Sequence, residues 1–134
     1  MTAPASQKSS SEPRRQQRFP RSIRLLRHSD FERVYQKGRR HFSPHMTVFY
    51  LRRDSDEGLR IGFTVSRALG GAVDRNRMKR RLREGVRLRR PAGGAAVDVV
   101  INPKRSLLTA DFETVLKEIA RAFEIIEQKL ATSA

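Results

Sequence analysis

Apolar residues recur along the chain at intervals that predict three helices and three main strands. The clearest helix begins near Thr109, where apolar positions follow one another at spacings of three and four residues. Asp111 and Glu113 lie near its start, where acidic side chains favour a first helical turn. We assign this helix to the support of the core. Its apolar positions are Phe112, Val115, Leu116, Ile119, Phe123, Ile126 and Leu130.

A central helix is predicted over residues 74–87, with Asp74 as its N-cap because Asp accepts hydrogen bonds from first-turn backbone donors. Met78, Leu82 and Val86 form one narrow apolar stripe. Four cations lie one turn apart on the same helix, namely Arg75, Lys79, Arg83 and Arg87. Each such pair of like charges costs about 0.2–0.5 kcal/mol. Because a merely soluble face would interleave glutamates, we interpret this helix as a functional surface.

A shorter helix is predicted over residues 29–38, with Ser29 as its N-cap and a glycine just past its end. Phe31 and Tyr35 lie one turn apart on one side of this helix. Aromatic pairs at this spacing usually belong to a core, but Val34 gives the helix a separate apolar anchor. The pair therefore stays open to two interpretations, a core contact or a binding surface.

Strands are predicted over residues 45–53, 59–66 and 97–101, with a short edge strand at 38–43. The polar loop 54–58, which contains a glycine, predicts that the first two main strands form a hairpin. Apolar and polar residues alternate in the second of these strands, so one of its faces belongs to the core. The other face is either a bed for a ligand backbone or an ordinary solvent-facing surface. The order of strand, basic helix and third strand predicts a βαβ crossover.

Charge narrows the class of partner. The chain of 134 residues has the length of one domain, and its 29 Lys and Arg outnumber 14 Asp and Glu, which gives a formal net charge of +15. Such a field attracts polyanions, and nucleic acid is the first candidate. Arg and Lys side chains would hold phosphates without reading base sequence. A membrane surface is disfavoured because the apolar stripe of the basic helix is narrow and lacks aromatics.

Composition also sets the expected boundaries. Residues 1–20 are rich in Ser, Pro, Gln and Arg and predict a flexible basic arm, which either touches a phosphate backbone or only solubilises the chain. Residues 21–130 are expected to form the folded domain that binds nucleic acid, and residues 131–134 a tail. The chain has no cysteine, no signal-peptide pattern and no apolar span, so we expect a soluble cytoplasmic protein.

No catalytic constellation emerges from the residues. His28, His41 and His45 show neither metal-ligand spacing nor an adjacent carboxylate, so surface positions are expected for them. The acidic residues of loop 54–58 lie where a hairpin must turn, and the Gly-Gly pair before the basic helix lacks the rest of a phosphate-loop pattern. We therefore expect no catalytic residue and no metal ligand in this chain.

A basic signature in the centre of the chain carries a resemblance to a known family. Residues 70–84 read Gly-Gly-Ala-Val-Asp-Arg-Asn-Arg-Met-Lys-Arg-Arg-Leu-Arg-Glu, and residues 60–67 before them read Arg-Ile-Gly-Phe-Thr-Val-Ser-Arg. They resemble the bacterial ribonuclease P protein family, whose signature is the Arg-Asn-Arg-x-Lys-Arg at residues 75–80. An Asp-Phe-x-x-Val-Tyr segment at residues 30–35 extends the resemblance, which runs from about residue 24 to residue 130.

The resemblance implies a single compact α+β domain, in which a mixed β-sheet and three helices form a sandwich like that of some ribosomal proteins. It also implies a left-handed βαβ crossover, although connection statistics alone favour a right-handed one. With a catalytic RNA and Mg²⁺, which the RNA and substrate mainly hold, such a complex hydrolyses a phosphodiester of precursor tRNA and frees the mature 5′ end. The alternative is a non-catalytic ribosomal or general RNA-binding protein.

Two surfaces follow from the resemblance. The face that docks on the catalytic RNA is implied to contain Arg75, Asn76, Arg77, Lys79, Arg80 and Arg83. The groove that binds the 5′ leader is implied to contain Phe31, Tyr35, Val48, Tyr50, Thr64, Ser66 and Arg67. The chain departs from the family at Ala68, where many members have a second basic residue, and at Gly71, where they often have Asn. Leader affinity is therefore expected to rest more on stacking or on the N-terminal arm.

Overall fold

The structure, a computed structural model, describes residues 27–54, 58–91 and 96–133. Within these ranges three helices and a four-stranded mixed sheet are found, which confirms the predicted α+β class. Two short 3₁₀ turns, Arg67–Leu69 and Arg105–Leu108, precede the second and third helices. The helices and strands in chain order are α1 (His28–Lys37), β1 (Arg39–Ser43), β2 (Met46–Arg52), β3 (Leu59–Phe63), α2 (Ala72–Arg89), β4 (Val97–Pro103) and α3 (Phe112–Ser133).

The sheet has the strand order β1-β2-β4-β3, with β4 antiparallel to β2 and parallel to β3. The segment β3-α2-β4 is therefore the predicted βαβ crossover, whose left-handed sense stays a prediction. The predicted hairpin of residues 45–53 with 59–66 is wrong, because β4 lies between β2 and β3. A polar loop indicates only that the chain turns. The β-branched β4 is buried on both faces, which favours a central position in the sheet.

The two faces of the sheet carry different helices. On one face α2 and α3 close the main core, which contains Met46, Val48 and Tyr50 of β2. The apolar stripe of α2 and most of the predicted apolar positions of α3 are buried there, as predicted. On the other face α1 packs chiefly on β2 and β4, with Val34 against Val100. Alternation along each strand thus assigns its residues to one layer or the other.

Helices α1 and α2 begin earlier than their polar residues predict, whereas α3 begins at Phe112, three residues after the predicted start. Helix α2 starts at Ala72 with Gly71 as its N-cap, so Asp74 lies inside the first turn and its prediction as the cap is wrong. The preceding 3₁₀ turn ends at Gly70, whose φ of 146° is unfavourable for other residues. Helix α1 likewise has Arg27 at its N-cap and no side-chain cap, with Ser29 already helical. The residue at which a helix begins depends on the direction in which the backbone enters the helix. Local composition does not determine this direction.

Gly38 joins α1 to the predicted edge strand, which β1 confirms. Its backbone is extended, with φ −83°, so conformational freedom does not explain the glycine. A Cβ at this position would lie 2.5 Å from the Val34 carbonyl oxygen and 2.6 Å from that of Tyr50. The close approach of α1 to β2 therefore requires a residue without a side chain.

Several predictions from the sequence lie outside the described residues. These are the N-terminal arm of residues 1–20 and the turn at residues 55–57 of the acidic loop. The proposed domain boundaries therefore stay predictions. No helix in the described ranges is long and apolar enough to cross a membrane.

Candidate nucleic-acid interface

The outer face of α2 carries a group of exposed polar and cationic side chains. Asn76, Arg77, Arg80 and Arg83 are exposed, and Lys79 is half-buried. No hydrogen bond or ion pair joins these five side chains to another residue of the described ranges. Because free cations on one helix face repel each other, this surface stabilises the isolated fold less than an interleaved one would. A surface of this kind can bind an anionic partner.

Three other arginines of α2 are held by the protein itself. Arg75 Nε donates to the Gly70 carbonyl oxygen at 3.1 Å and so fastens the start of the helix. Arg87 donates to Glu84, and this hydrogen bond holds the pKa of the Glu84 carboxyl below its usual value. Arg81 donates to three carbonyl oxygens ahead of α3, those of Leu107 (2.6 Å), Leu108 (2.9 Å) and Ala110. Of the predicted row of four repelling cations, Arg87 thus forms an ion pair and Arg75 is hydrogen-bonded to a backbone carbonyl.

A cleft of 540 Å³ lies beside the cationic face of α2, between this helix and the segment that leads into α3. Arg81 closes one wall through its carbonyl contacts and through the Phe112 ring, whose centroid lies 5.9 Å from the guanidinium carbon. Arg77 and Arg80 also line the cleft, without a described partner. A concave surface with two available guanidinium groups suits a phosphate group of a folded nucleic acid.

A second polar and aromatic surface lies on the sheet face that α1 only partly covers. The Tyr35 hydroxyl oxygen lies 2.6 Å from Thr64 Oγ1 and 3.0 Å from Asn102 Oδ1, which ties α1 to β4 and to the end of β3. The Tyr35 ring meets the Phe49 ring edge to face, with centroids 4.9 Å apart. Tyr35 remains 36% exposed. Its ring is therefore fixed by hydrogen bonds while part of it stays open to a ligand.

The structure brings together only some of the residues predicted for the groove. Val48 and Tyr50 are 1% and 3% exposed and lie in the core under α2 and α3. Their prediction as groove residues is therefore wrong, because successive strand residues point to opposite faces and the choice of face was shifted by one position. On the α1 face, β2 instead presents Thr47 and Phe49. Phe31 is half-buried against the small cluster around Val34.

The other predicted groove residues follow β3. Thr64 is half-buried and contacts Tyr35, as described above. Ser66 and Arg67 are exposed on the segment that runs from β3 towards α2. The Ser66 hydroxyl oxygen accepts a hydrogen bond from the Ala68 backbone N–H at 3.1 Å and so caps the 3₁₀ turn. These residues therefore connect the sheet surface with the start of the cationic helix.

An ion cluster under α1 was missed from the sequence. The Asp98 side chain is fully buried on β4 and accepts hydrogen bonds from Arg53 (2.5 Å), from Arg33 (3.1 Å) and, through both carboxylate oxygens, from Arg60 (2.9 Å each). Burial alone would raise the pKa of Asp98, but the Arg60 and Arg53 hydrogen bonds outweigh burial and lower it. An aspartate within a β-branched strand was the available signal, since a buried carboxylate needs cationic partners.

The histidine prediction also needs correction. His45 Nδ1 lies 2.7 Å from Glu118 Oε2, so this histidine does have a carboxylate partner, supplied by the distant helix α3. Glu118 Oε1 accepts further hydrogen bonds from the Ser43 hydroxyl (2.7 Å) and the His45 backbone N–H (3.0 Å). His28 Nε2 lies 3.4 Å from Glu32 Oε2, and both side chains are exposed on α1. Burial and the nearby Arg121 charge lower the pKa of His41.

The acidic side chains do not offer a metal site. In the described part of the chain, no group of three or more His, Cys, Asp or Glu could hold a metal ion. The buried carboxylates of the described residues are already engaged, Asp30 by Arg33, Asp98 by three arginines, and Glu118 by Ser43 and His45. The donor set of the described residues therefore does not fit a resident Mg²⁺.

Comparisons with known proteins give a consistent result. The sequence model of the Ribonuclease P family matches residues 19–127. The ribonuclease P protein component of Oleidesulfovibrio alaskensis is 46% identical over 88 residues, which are 65% of this chain and 70% of that protein. The corresponding component of a Geobacter species is 36% identical over 113 residues, or 84% of this chain and 96% of that protein.

Solved structures agree in fold. The ribonuclease P protein from Thermotoga maritima superimposes with a TM-score of 0.66 at 29% identity, covering 78% of this chain and 97% of that one. The Staphylococcus aureus protein superimposes with a TM-score of 0.68, covering 78% of this chain and 95% of that one. At 24% identity the latter supports the fold alone.

Proposed function

The chain belongs to the Ribonuclease P protein family, and on this premise we propose that it is the protein subunit of a cytoplasmic ribonucleoprotein that removes the 5′ leader from precursor tRNA. A structured catalytic RNA carries out the hydrolysis of the phosphodiester, and the RNA and substrate together hold the Mg²⁺ that assists it. The protein contributes binding. It docks on the catalytic RNA with α2 and holds the leader on the α1 face of the sheet.

The observation that carries the proposal is the group of cations on α2 without a described protein partner. Arg77, Arg80 and Arg83 are exposed on one helix and make no ion pair with a described residue, whereas Arg81 and Arg87 are internally paired. Asn76 and Lys79 extend this surface, and Arg75 lies at its start, fastened to Gly70. Phosphate groups of the catalytic RNA would neutralise these charges and release counterions.

The leader groove is proposed over the partly covered sheet face. Tyr35 offers an aromatic surface that hydrogen bonds to Thr64 and Asn102 hold in place. Phe49 packs against that ring, and Ser66 and Arg67 lead from the groove towards α2. Unpaired leader bases would stack on the aromatic side chains, a sequence-tolerant mode of binding single strands.

In this proposal the described residues supply no proton-transfer group and no metal ligand to the reaction. Its buried carboxylates are held by arginines, a serine and a histidine, so they are not free to coordinate Mg²⁺ or activate water. Its residues bind and orient the RNA. We therefore expect the protein alone not to cleave precursor tRNA, and the complex with the catalytic RNA and Mg²⁺ to do so.

The test is reconstitution with a matched pair of charge variants. Changing Arg77, Arg80 and Arg83 together to Gln should weaken assembly with the catalytic RNA and flatten its salt dependence by about 0.9 per lost phosphate contact in log K against log salt. The control changes Lys117, Arg121 and Lys129 of α3 to Gln and removes the same charge from another surface. Binding constants are measured over a range of salt concentrations.

Two outcomes would contradict the proposal. If the control variant lost as much salt dependence as the α2 variant, net charge rather than the α2 surface would account for binding. If the RNA that co-purifies with the protein were ribosomal or a mixed pool, and precursor tRNA were not cleaved by any reconstituted complex, the general RNA-binding alternative would replace the ribonucleoprotein enzyme.

A further inference from the structure

We propose that Phe42 and Arg40 of the edge strand β1 form an additional stacking site for one leader nucleotide, beyond the groove at Tyr35. The inference rests on the proposed function, because it assumes that a single-stranded leader crosses the α1 face of the sheet. It adds a second contact point for the leader on the sheet, and two residues that were not among those predicted for the groove from the sequence.

The site is continuous with the groove through a series of ring and guanidinium contacts. The Arg40 guanidinium carbon lies 5.8 Å from the centroid of the Phe42 ring and 5.9 Å from that of Phe49. Phe49 in turn contacts Tyr35, with centroids 4.9 Å apart. The register of β1 with β2 pairs Arg40 with Phe49 and Phe42 with Thr47, so all of them share one sheet face. Alternating cationic and aromatic surfaces extend from α1 to the sheet edge.

Phe42 is more exposed than the other described phenylalanines. It is 66% exposed, whereas every other described phenylalanine is buried or half-buried in the core clusters. Packing within the described ranges therefore does not account for the position of Phe42. A large exposed aromatic side chain beside an arginine marks a binding surface rather than a core position.

Charge selects the occupant. Strand β1 reads Arg-Arg-His-Phe-Ser, so it has two arginines and no acidic residue. A nucleotide matches both components, since its base stacks on the ring and its phosphate neutralises the guanidinium. An apolar peptide or a second copy of this basic chain, with its net charge of +15, would leave Arg40 uncompensated. Single-stranded RNA is therefore the ligand that we assign to this surface.

The position of β1 predicts which nucleotide binds there. Strand β3 leads through Ser66 and Arg67 to α2, so the β3 side of the groove lies nearer the proposed docking surface for the catalytic RNA. Strand β1 lies at the opposite edge, three strand spacings or about 14 Å away. A leader that runs from the cleavage site across the sheet would reach Phe42 with a nucleotide farther from that site than the one at Tyr35.

The experiment uses the reconstituted holoenzyme and precursor tRNAs whose leaders are shortened one nucleotide at a time from the 5′ end. For the wild-type protein, affinity should rise with leader length until β1 is covered. Phe42→Ala should remove the last increment, a loss of about 5- to 150-fold for long leaders, the range for one stacked base. Short leaders and mature tRNA should bind as tightly as to the wild-type complex.

Two further variants separate stacking from apolar bulk. Phe42→Leu keeps an apolar side chain without an aromatic face and should lose affinity for long leaders as Phe42→Ala does. Phe42→Trp should retain it. Since Phe42 is exposed, all three variants should melt close to the wild-type temperature.

The outcomes distinguish this site from the groove. If wild-type affinity rises with leader length but Phe42→Ala follows the same curve, the β1 site is overturned and the groove stands. If wild-type affinity does not depend on the leader at all, the groove itself fails. A loss of affinity in Phe42→Ala that is equal for mature and precursor tRNA would assign Phe42 to another contact and overturn the proposal. So would a change in the oligomeric mass of the free Phe42→Ala protein without a change in its affinity for the leader.

Discussion

Replacing the buried aspartate of the ion cluster, Asp98→Asn, should strongly destabilise the protein. The substitution keeps the shape of the side chain but removes the charge that three arginines share. Loss of one partner of a buried ion pair costs about 3–5 kcal/mol, because the remaining charges stay partly desolvated. Arg33 is 41% exposed and regains water, whereas Arg53 and Arg60 are only 9% and 24% exposed. Since two of the three arginines stay largely buried, we expect a loss of at least about 3 kcal/mol.

The loss of stability should lower the melting temperature and should change the dependence of stability on pH in the acid range. At about 4 °C per kcal/mol for a domain of slightly more than 100 residues, the melting temperature should fall by about 12 °C or more. The folded-state pKa of Asp98 is lowered, so its contribution to stability is complete above the unfolded value of about 3.9 and disappears as the pH falls through the folded value. The difference between wild type and variant should therefore stay constant near neutral pH and narrow in strong acid.

The assay is urea unfolding of the purified protein at a series of pH values, with Glu127→Gln as the control. Glu127 is exposed on α3, so its replacement should change stability by less than about 0.5 kcal/mol. If Asp98→Asn were as stable as the wild type at neutral pH, or if the difference stayed unchanged in strong acid, the ion cluster would not stabilise the fold in the way described.

Two other predictions separate binding residues from structural ones. Tyr35→Leu should weaken binding of precursor tRNA to the holoenzyme about fivefold or more, the lower range for one stacked base, and leave mature tRNA unaffected. Equal losses for both RNAs, or a collapsed melting curve, would place Tyr35 in the core instead. Arg81→Gln should cost about 2 kcal/mol or more in urea unfolding, because three carbonyl oxygens lose a charged donor, while Arg80→Gln should leave stability unchanged. Similar stability of these two variants would contradict the division of α2 into paired and available arginines.

The helices could be predicted from sequence because their periodicity is a local property. The stripe of Met78, Leu82 and Val86 is buried as expected, and the same periodicity leaves Arg77, Arg80 and Arg83 outside the core. The helix pattern did not distinguish Arg81, which is held by the fold, from Arg80, which is not. The two are neighbouring arginines in the same basic sequence. The three carbonyl acceptors of Arg81 come from a segment 26 to 29 residues away, and only the fold brings them together.

The positions of the strands along the chain could be predicted from the sequence. The pairing of β2 and the face on which its residues lie could not. The hairpin prediction failed because β4, distant in sequence, separates β2 from β3. In β2 the residues Val48, Phe49 and Tyr50 are all apolar, so alternation gives no local indication of the face each one occupies. The register with β4 decides it, and it pairs Val48 with Ile101 and Tyr50 with Val99 in the core. Asp98 was missed for the same reason, since its arginine partners come from three other elements.

Helix length explains why one face of the sheet is closed and the other is only partly covered. The core face is covered by α2 and α3, whose 18 and 22 residues are about 27 Å and 33 Å long. The opposite face has only α1, whose ten residues are about 15 Å long and lie chiefly on β2 and β4. The outer strands β1 and β3 are left with less cover on that face. Consequently Phe42 on β1 stays exposed and Thr64 after β3 stays half-buried, while Asp98 and Val100 beneath α1 are buried. A short helix on a four-stranded sheet thus produces two flanking surfaces, and both of them carry the residues that we assign to the leader.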